Sequence, residues 1–273
     1  MQHSSSRKNI RNIIEIVAIV VLCALTFALD FMDITYVYDS LRNMLLSKTV
    51  QNICGASAAL LLMIRLKIRL FGKPIGWLFL IPCLIIAIDN FQFSAYFNGK
   101  IYLESKNVVD ILLFASYCLM VGLFEEFVFR GIIFSILAGV FPKNKKGFLY
   151  TYVVSSVIFG LAHLLNGFSG TTFLQVGYTV LTGGLFAFCL IKTGNILCCA
   201  LVHGIYNFCG MLFDKFNAET GVLGLGSGVV FDLGTTLTML IVSVIVGFFV
   251  LYKVFTYKEE EREWLYLKLG VKT

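Results

Sequence analysis

Charged side chains are scarce in this sequence. Asp, Glu, Lys and Arg together make up 14% of its 273 residues, against about 25% in ordinary soluble domains. That shortage excludes a soluble globule of this length, whose surface needs far more charge. Metal-binding and redox spacings are missing as well. The eight cysteines (Cys23, Cys54, Cys83, Cys118, Cys189, Cys198, Cys199 and Cys209) all fall within apolar runs, none in a CxxC pair or at a zinc-finger interval from a histidine. They read as small buried hydrophobes, and no disulfide framework is expected. Internal repeats and low-complexity segments are absent. The Gly-rich GVLGLGSG, residues 221–228, does not follow a strand and open a helix as a phosphate loop requires, so it reads as an external turn. Histidine is rare, with only His3, His163 and His203.

What is abundant is hydrocarbon. Hydrophobic residues reach 58%, Phe alone contributes 26, and mean hydropathy is +0.86. A span needs about 20 apolar residues, and the sequence offers eight such runs: 12–34, 49–71, 75–96, 107–141, 147–165, 171–192, 195–213 and 232–256. The expected fold is an all-α, polytopic membrane helix bundle. The first run is long for the core of a signal peptide and no small-residue cleavage site follows it, so it is expected to be retained. The second is cut by Arg65, Lys67 and Arg69 and is expected to stop near Met63, with the basic residues reaching for the surface. The fourth is long enough to be broken.

The basic residues orient this bundle. With the N-terminus inside, 16 of the 22 Lys and Arg fall in inner segments and 5 in outer ones, with Arg130 left inside a span. That bias predicts both termini inside. It also accounts for the net charge of +6 and excludes a nucleic-acid partner, because the charge is spread over five separate segments. The chain divides into N-terminal membrane helices (1–106), a core (107–213), and a last span with a cytoplasmic tail (214–273), all one membrane domain. The tail YKEEEREWLYLKLG is either an amphipathic helix on the inner membrane surface or a solvated, frayed end.

Three charges break the fourth run, at LFEEFVFRG, residues 123–131. Each uncompensated charge at mid-membrane costs about 2.5–3.5 kcal/mol on insertion scales. Helix geometry pairs Glu126 with Arg130 at i, i+4. Glu125 is turned about 100° away and points at something else. Both non-terminal histidines also lie in spans, within FGLAH (Phe159 to His163) and HGIYN (His203 to Asn207). His203 and Asn207, four residues apart, share a helix face. Asn166 stands where it either orients His163 or caps the helix end. The set is either an ion network that locks helices together or a reactive site. As a site it makes a hydrolytic kit: carboxylate and imidazole accept a proton from water, while imidazole and amide N–H groups stabilise an oxyanion.

EEFVFR, FGLAH and HGIYN, in this order on successive helices, resemble the EExxxR, FxxxH and HxxxN motifs of the CPBP intramembrane proteases. That family includes the type II CAAX prenyl endopeptidases and the Abi and bacteriocin-immunity proteins. The likeness covers roughly residues 120–210. It implies an endopeptidase in which Glu125 with His163 activates water, His203 and Asn207 hold the oxyanion, and Glu126, Arg130 and Phe159 support the site. Glu125, His163 and His203 also make a zinc-type His₂Glu set. The spacing lacks HExxH, however, and Asn207 suits an oxyanion donor better than a ligand, so no cofactor is the favoured expectation and zinc the alternative. The expected partners are the lipid bilayer and a membrane-associated protein or peptide substrate. The expected setting is a bacterial plasma membrane. A non-catalytic immunity or scaffold protein is the competing reading. A transporter is the weaker one, since no internal repeat supports a two-half build.

Overall fold

The structure, a computed structural model, describes residues 17, 40–101, 107–166, 170–216 and 233–271. Among these residues every regular element is helical. The expected first span, apart from Val17, and the Gly-rich stretch 221–228 lie outside the described residues. Among the described residues, six helices are long and apolar enough to cross a membrane. The chain is a multi-pass membrane bundle.

Helix α1, Ser40–Arg65, starts nine residues before the expected span and ends two residues beyond Met63. It stops where Lys67 takes a positive φ of 60°. The third expected span, 75–96, is not one helix. A 3₁₀ turn, Trp77–Phe79, leads into α2, Leu80–Asp89, and Gln92 at φ 61° separates α2 from the short α3, Phe93–Phe97. At 1.5 Å per residue, Trp77–Asp89 is only about 20 Å long, short of the roughly 30 Å hydrocarbon core. The fourth expected span is continuous. Asn107 caps α4, Val108–Glu126, by accepting the Val109 N–H at 3.0 Å. The run passes through a π-helical segment, Phe127–Ile133, into α5, Phe134–Val140.

Asn144 caps α6, Lys145–Ala162, which ends in a 3₁₀ turn over His163–Asn166. Then follow α7, Gly170–Thr193; α8, Ile196–Phe216; and α9, Leu233–Phe255. α7 is the central helix: every residue from Leu185 to Ile191 is buried. It packs closely on α6 because Gly160 offers no side chain; a Cβ there would lie 2.3 Å from Val180. α9 is peripheral. Leu240, Ile241, Ile245 and Phe248 are exposed along it, and this is the face that lipid covers.

The tail neither frays nor lies apart from the bundle. It forms α10, Glu259–Lys268, whose first turn is closed by Glu261 accepting the Lys258 backbone N–H at 3.0 Å. Leu265, Tyr266 and Leu269 are buried. The Arg69 backbone N–H donates to the Lys268 carbonyl at 2.7 Å, and the Lys268 ammonium donates to the Gly194 carbonyl at 3.1 Å. Lys192 pairs with Glu261 at 3.6 Å, and the Lys143 ammonium sits over the Tyr266 ring. Several of the basic segments expected on the inner side therefore meet at one end of the bundle.

Gly194 is the pivot of that end. Its φ is +57°, and a Cβ would lie 2.1 Å from the Trp264 indole. Gly194→Val is expected to cost about 3 kcal/mol, from the left-handed backbone and the overpacking together. Thermal unfolding in detergent measures it. Gly139→Val, at a position facing open space, is the control and should leave the transition almost unmoved.

Candidate active site

Two glycines set the spacing of the site. α4 crosses α8 where Gly122 meets Gly204. A Cβ on Gly122 would lie 2.6 Å from the Ala200 carbonyl oxygen and 2.9 Å from the Gly204 nitrogen. Bare glycine surfaces let the two backbones approach this closely. Glu125 and Glu126 follow one turn beyond Gly122, and His203 immediately precedes Gly204. The crossing therefore carries both carboxylates to the imidazole.

Glu126 is fully buried and bridges two partners. Its Oε2 pairs with Arg130 Nε at 3.2 Å, and its Oε1 accepts from His203 Nδ1 at 2.9 Å. Arg130, also buried, donates from Nη2 to the Gly183 carbonyl of α7 at 2.9 Å. Its guanidinium lies 4.2 Å from the Phe159 ring centre, a cation–π contact. These contacts offset what desolvation of two buried charges would otherwise cost. The π-helical segment begins just after Glu126 and contains Arg130. Such segments recur at functional sites.

Glu125 stands differently. Its Oε2 is a buried atom without a hydrogen-bond partner, and it faces His203 Nε2 at 3.8 Å. That separation is too long for a direct hydrogen bond. His163 opens the 3₁₀ turn after α6, and its Nδ1 lies 2.9 Å from the Phe159 carbonyl. A carbonyl only accepts, so Nδ1 carries the proton and a neutral ring has its Nε2 lone pair free to accept another. His163 and His203 both touch Phe159, at ring separations of 5.1 and 5.8 Å.

The structure thus gathers Glu125, Glu126, Arg130, Phe159, His163 and His203 around one another. Asn207 lies one turn beyond His203 on α8 and is half-buried. Asn166 lies in the 3₁₀ turn, and its side chain is outside the described residues. The ring of His163 is held by the Phe159 carbonyl. Among the described residues, no group of three or more His, Cys, Asp and Glu is arranged to hold a metal ion. Glu125, His163 and His203 are not drawn together into such a group.

Three contributors escaped the sequence reading. Phe186 of α7 stacks on His203, Tyr152 of α6 donates to the Gly184 carbonyl at 3.0 Å, and Asn90 donates to the Tyr206 carbonyl at 3.0 Å. The signal that was available is the Gly183–Gly184 pair within α7. Both carbonyls accept from side chains of neighbouring helices, and a Cβ at Gly183 would lie 3.0 Å from Phe159.

Comparison with known proteins agrees with the resemblance carried by the motifs. Residues 107–209 match the model of the Rce1-like family, type II CAAX prenyl endopeptidases. A stretch of the chain is 27% identical over 100 residues to CAAX prenyl protease 2 of Saccharomyces cerevisiae. The alignment covers 32% of this chain and 32% of that protein, so the similarity spans about a third of the curated relative. No solved structure matches the chain significantly.

Proposed function

We propose that the chain is an intramembrane endopeptidase that hydrolyses a peptide bond near the isoprenylated C-terminus of a membrane-associated protein. Similarity to the type II CAAX prenyl endopeptidases supports the substrate class. One observation carries the reaction: a buried Glu125 oxygen that makes no hydrogen bond faces an imidazole nitrogen across 3.8 Å. A carboxylate in that position is a base awaiting its proton donor.

A water molecule bound at the partly exposed Glu125 side chain supplies the nucleophile. Its oxygen attacks the scissile carbonyl carbon while one of its protons passes to Glu125. The Nε2 lone pair of His163 accepts the second water hydrogen and orients the attack. The tetrahedral oxyanion is held by His203 and Asn207. His203 acts as an imidazolium, donating from Nδ1 to Glu126 and from Nε2 to the oxyanion. Its charge offsets the negative charge that Glu125, Glu126 and Arg130 leave between them. When the C–N bond breaks, the leaving amine takes the proton from Glu125, which restores the carboxylate. Water is thereby divided between a new carboxyl group and a new amine. No metal enters these steps.

The closed Glu126–Arg130–His203 set would by itself suit a non-catalytic scaffold or immunity protein. That reading leaves the Glu125 carboxylate with little to do, since its one ion pair is the long 3.8 Å contact with His203. The two readings separate in a membrane peptidome comparison between cells carrying the intact chain and cells carrying Glu125→Ala at matched abundance. Fragments lost only with the substitution support proteolysis and reveal the cleavage site. Identical peptidomes, with both proteins folded and a prenylated reporter protein present, count against it.

A further inference from the structure

We infer that Phe186 is the positioning residue that fixes the plane of the His203 ring. The inference rests on the hydrolytic reading of His203 given above.

α7 carries none of the three motifs, yet it touches both arms of the Glu126 bridge. Its Gly183 carbonyl holds Arg130. One turn later Phe186, 1% exposed, lies against His203 with ring centres 4.4 Å apart and planes inclined by 19°. Phe159 meets the same imidazole edge-on at 5.8 Å and 78°, and Tyr206 meets Phe186 edge-on at 6.0 Å.

The hydrogen bond from Nδ1 to Glu126 fixes one atom of the imidazole. A single hydrogen bond tolerates a range of lengths and angles, so the ring keeps some rotation about its Cβ–Cγ bond. The terminal torsion of a histidine is broad, so its rotamer preference does not stop that rotation. The rotation decides where Nε2 points, and Nε2 is the atom facing Glu125 at 3.8 Å. A flat aromatic surface parallel to the imidazole removes this freedom, because offset stacking is favourable at one inclination. An aliphatic side chain of similar bulk fills the space but presents no plane. Phe186 touches neither the water nor the scissile bond on this account; it acts through His203.

The test uses the full chain in lipid nanodiscs, with ¹³C,¹⁵N-labelled histidine, compared with Phe186→Leu, Phe186→Met and Phe186→Tyr. Only three histidines occur, so the ring signals of His203 are readily separated. Turnover is followed with an internally quenched farnesylated CAAX peptide. In Phe186→Leu and Phe186→Met, kcat should fall about tenfold, as expected for a misplaced catalytic group, with KM almost unchanged. The His203 ring protons should lose their upfield ring-current shift and broaden into an orientational average, while His163 stays as it was. Phe186→Tyr, which keeps the face, should restore both. A sharp, single His203 signal set in both aliphatic variants, with unchanged kcat, would overturn the inference. If the unsubstituted chain does not cleave the peptide, the proposed hydrolysis fails for this substrate. The His203 signals then decide the positioning role alone: averaging in the aliphatic variants upholds it, and a fixed ring refutes it.

Discussion

Glu125→Gln should abolish hydrolysis and leave the fold intact. The substitution keeps the shape of the side chain and removes only its capacity to take up a proton. General-base catalysis contributes about 10²–10⁴ in rate, so turnover should fall by at least two orders of magnitude. Stability should not fall with it. Glu125 Oε2 makes no hydrogen bond, so the folded state loses only its long 3.8 Å contact with His203, and a neutral amide is less costly to desolvate than a carboxylate. Paired measurements of peptide cleavage and thermal unfolding check both halves. Retained turnover removes Glu125 from the mechanism. A collapse of stability instead makes it a structural residue.

Arg130→Met should do the opposite. Arg130 and Glu126 are 1% and 0% exposed and share an ion pair at 3.2 Å. Deleting one member of a buried pair typically costs about 3–5 kcal/mol, because the other charge stays buried without compensation. Glu126 would keep only His203 as its partner. The Gly183 carbonyl would also lose its donor. The single variant is therefore expected to unfold or fail to accumulate. Combining it with Glu126→Gln removes the stranded charge and should recover much of the lost stability without restoring turnover. A double-mutant cycle on unfolding free energy measures that coupling. Additive losses would mean that the two residues are not energetically paired. The contrast between Glu125 and Arg130 matters most: one substitution removes chemistry and spares the fold, the other removes the fold.

Much of this arrangement was legible in the sequence. Scarce charge and long apolar runs gave the membrane bundle, and the ends of α6, α8 and α9 fall close to the expected spans. Glu125, expected to point away from Glu126, faces the same His203 ring, but the Glu126–Arg130 pair followed from its four-residue spacing. That pair is local, and helix geometry decides it. What could not be read depends on tertiary contact. His203 meets Glu126 across 77 positions of sequence, and no periodicity announces that encounter. Phe186 is one phenylalanine among 26, marked only by what it stacks upon. The break at Gln92 needs a left-handed backbone at a residue type that rarely adopts one. The π-helical segment follows no proline, and its one glycine, Gly131, packs tightly against Met63. The docking of α10 reflects the particular fit of Trp264 over Gly194, beyond what an amphipathic pattern conveys.

On the proposed mechanism, Glu125 delivers a water-derived oxygen to a peptide carbonyl without a metal. This is tested most directly with the purified full chain in liposomes, a farnesylated CAAX peptide, oxygen-18 water and a strong chelator. The terminal tripeptide should be released with one heavy oxygen in the new farnesylcysteine carboxylate, and Glu125→Gln should release none. Cleavage that stops with the chelator and returns with zinc, or that proceeds equally well in Glu125→Gln, would contradict the mechanism.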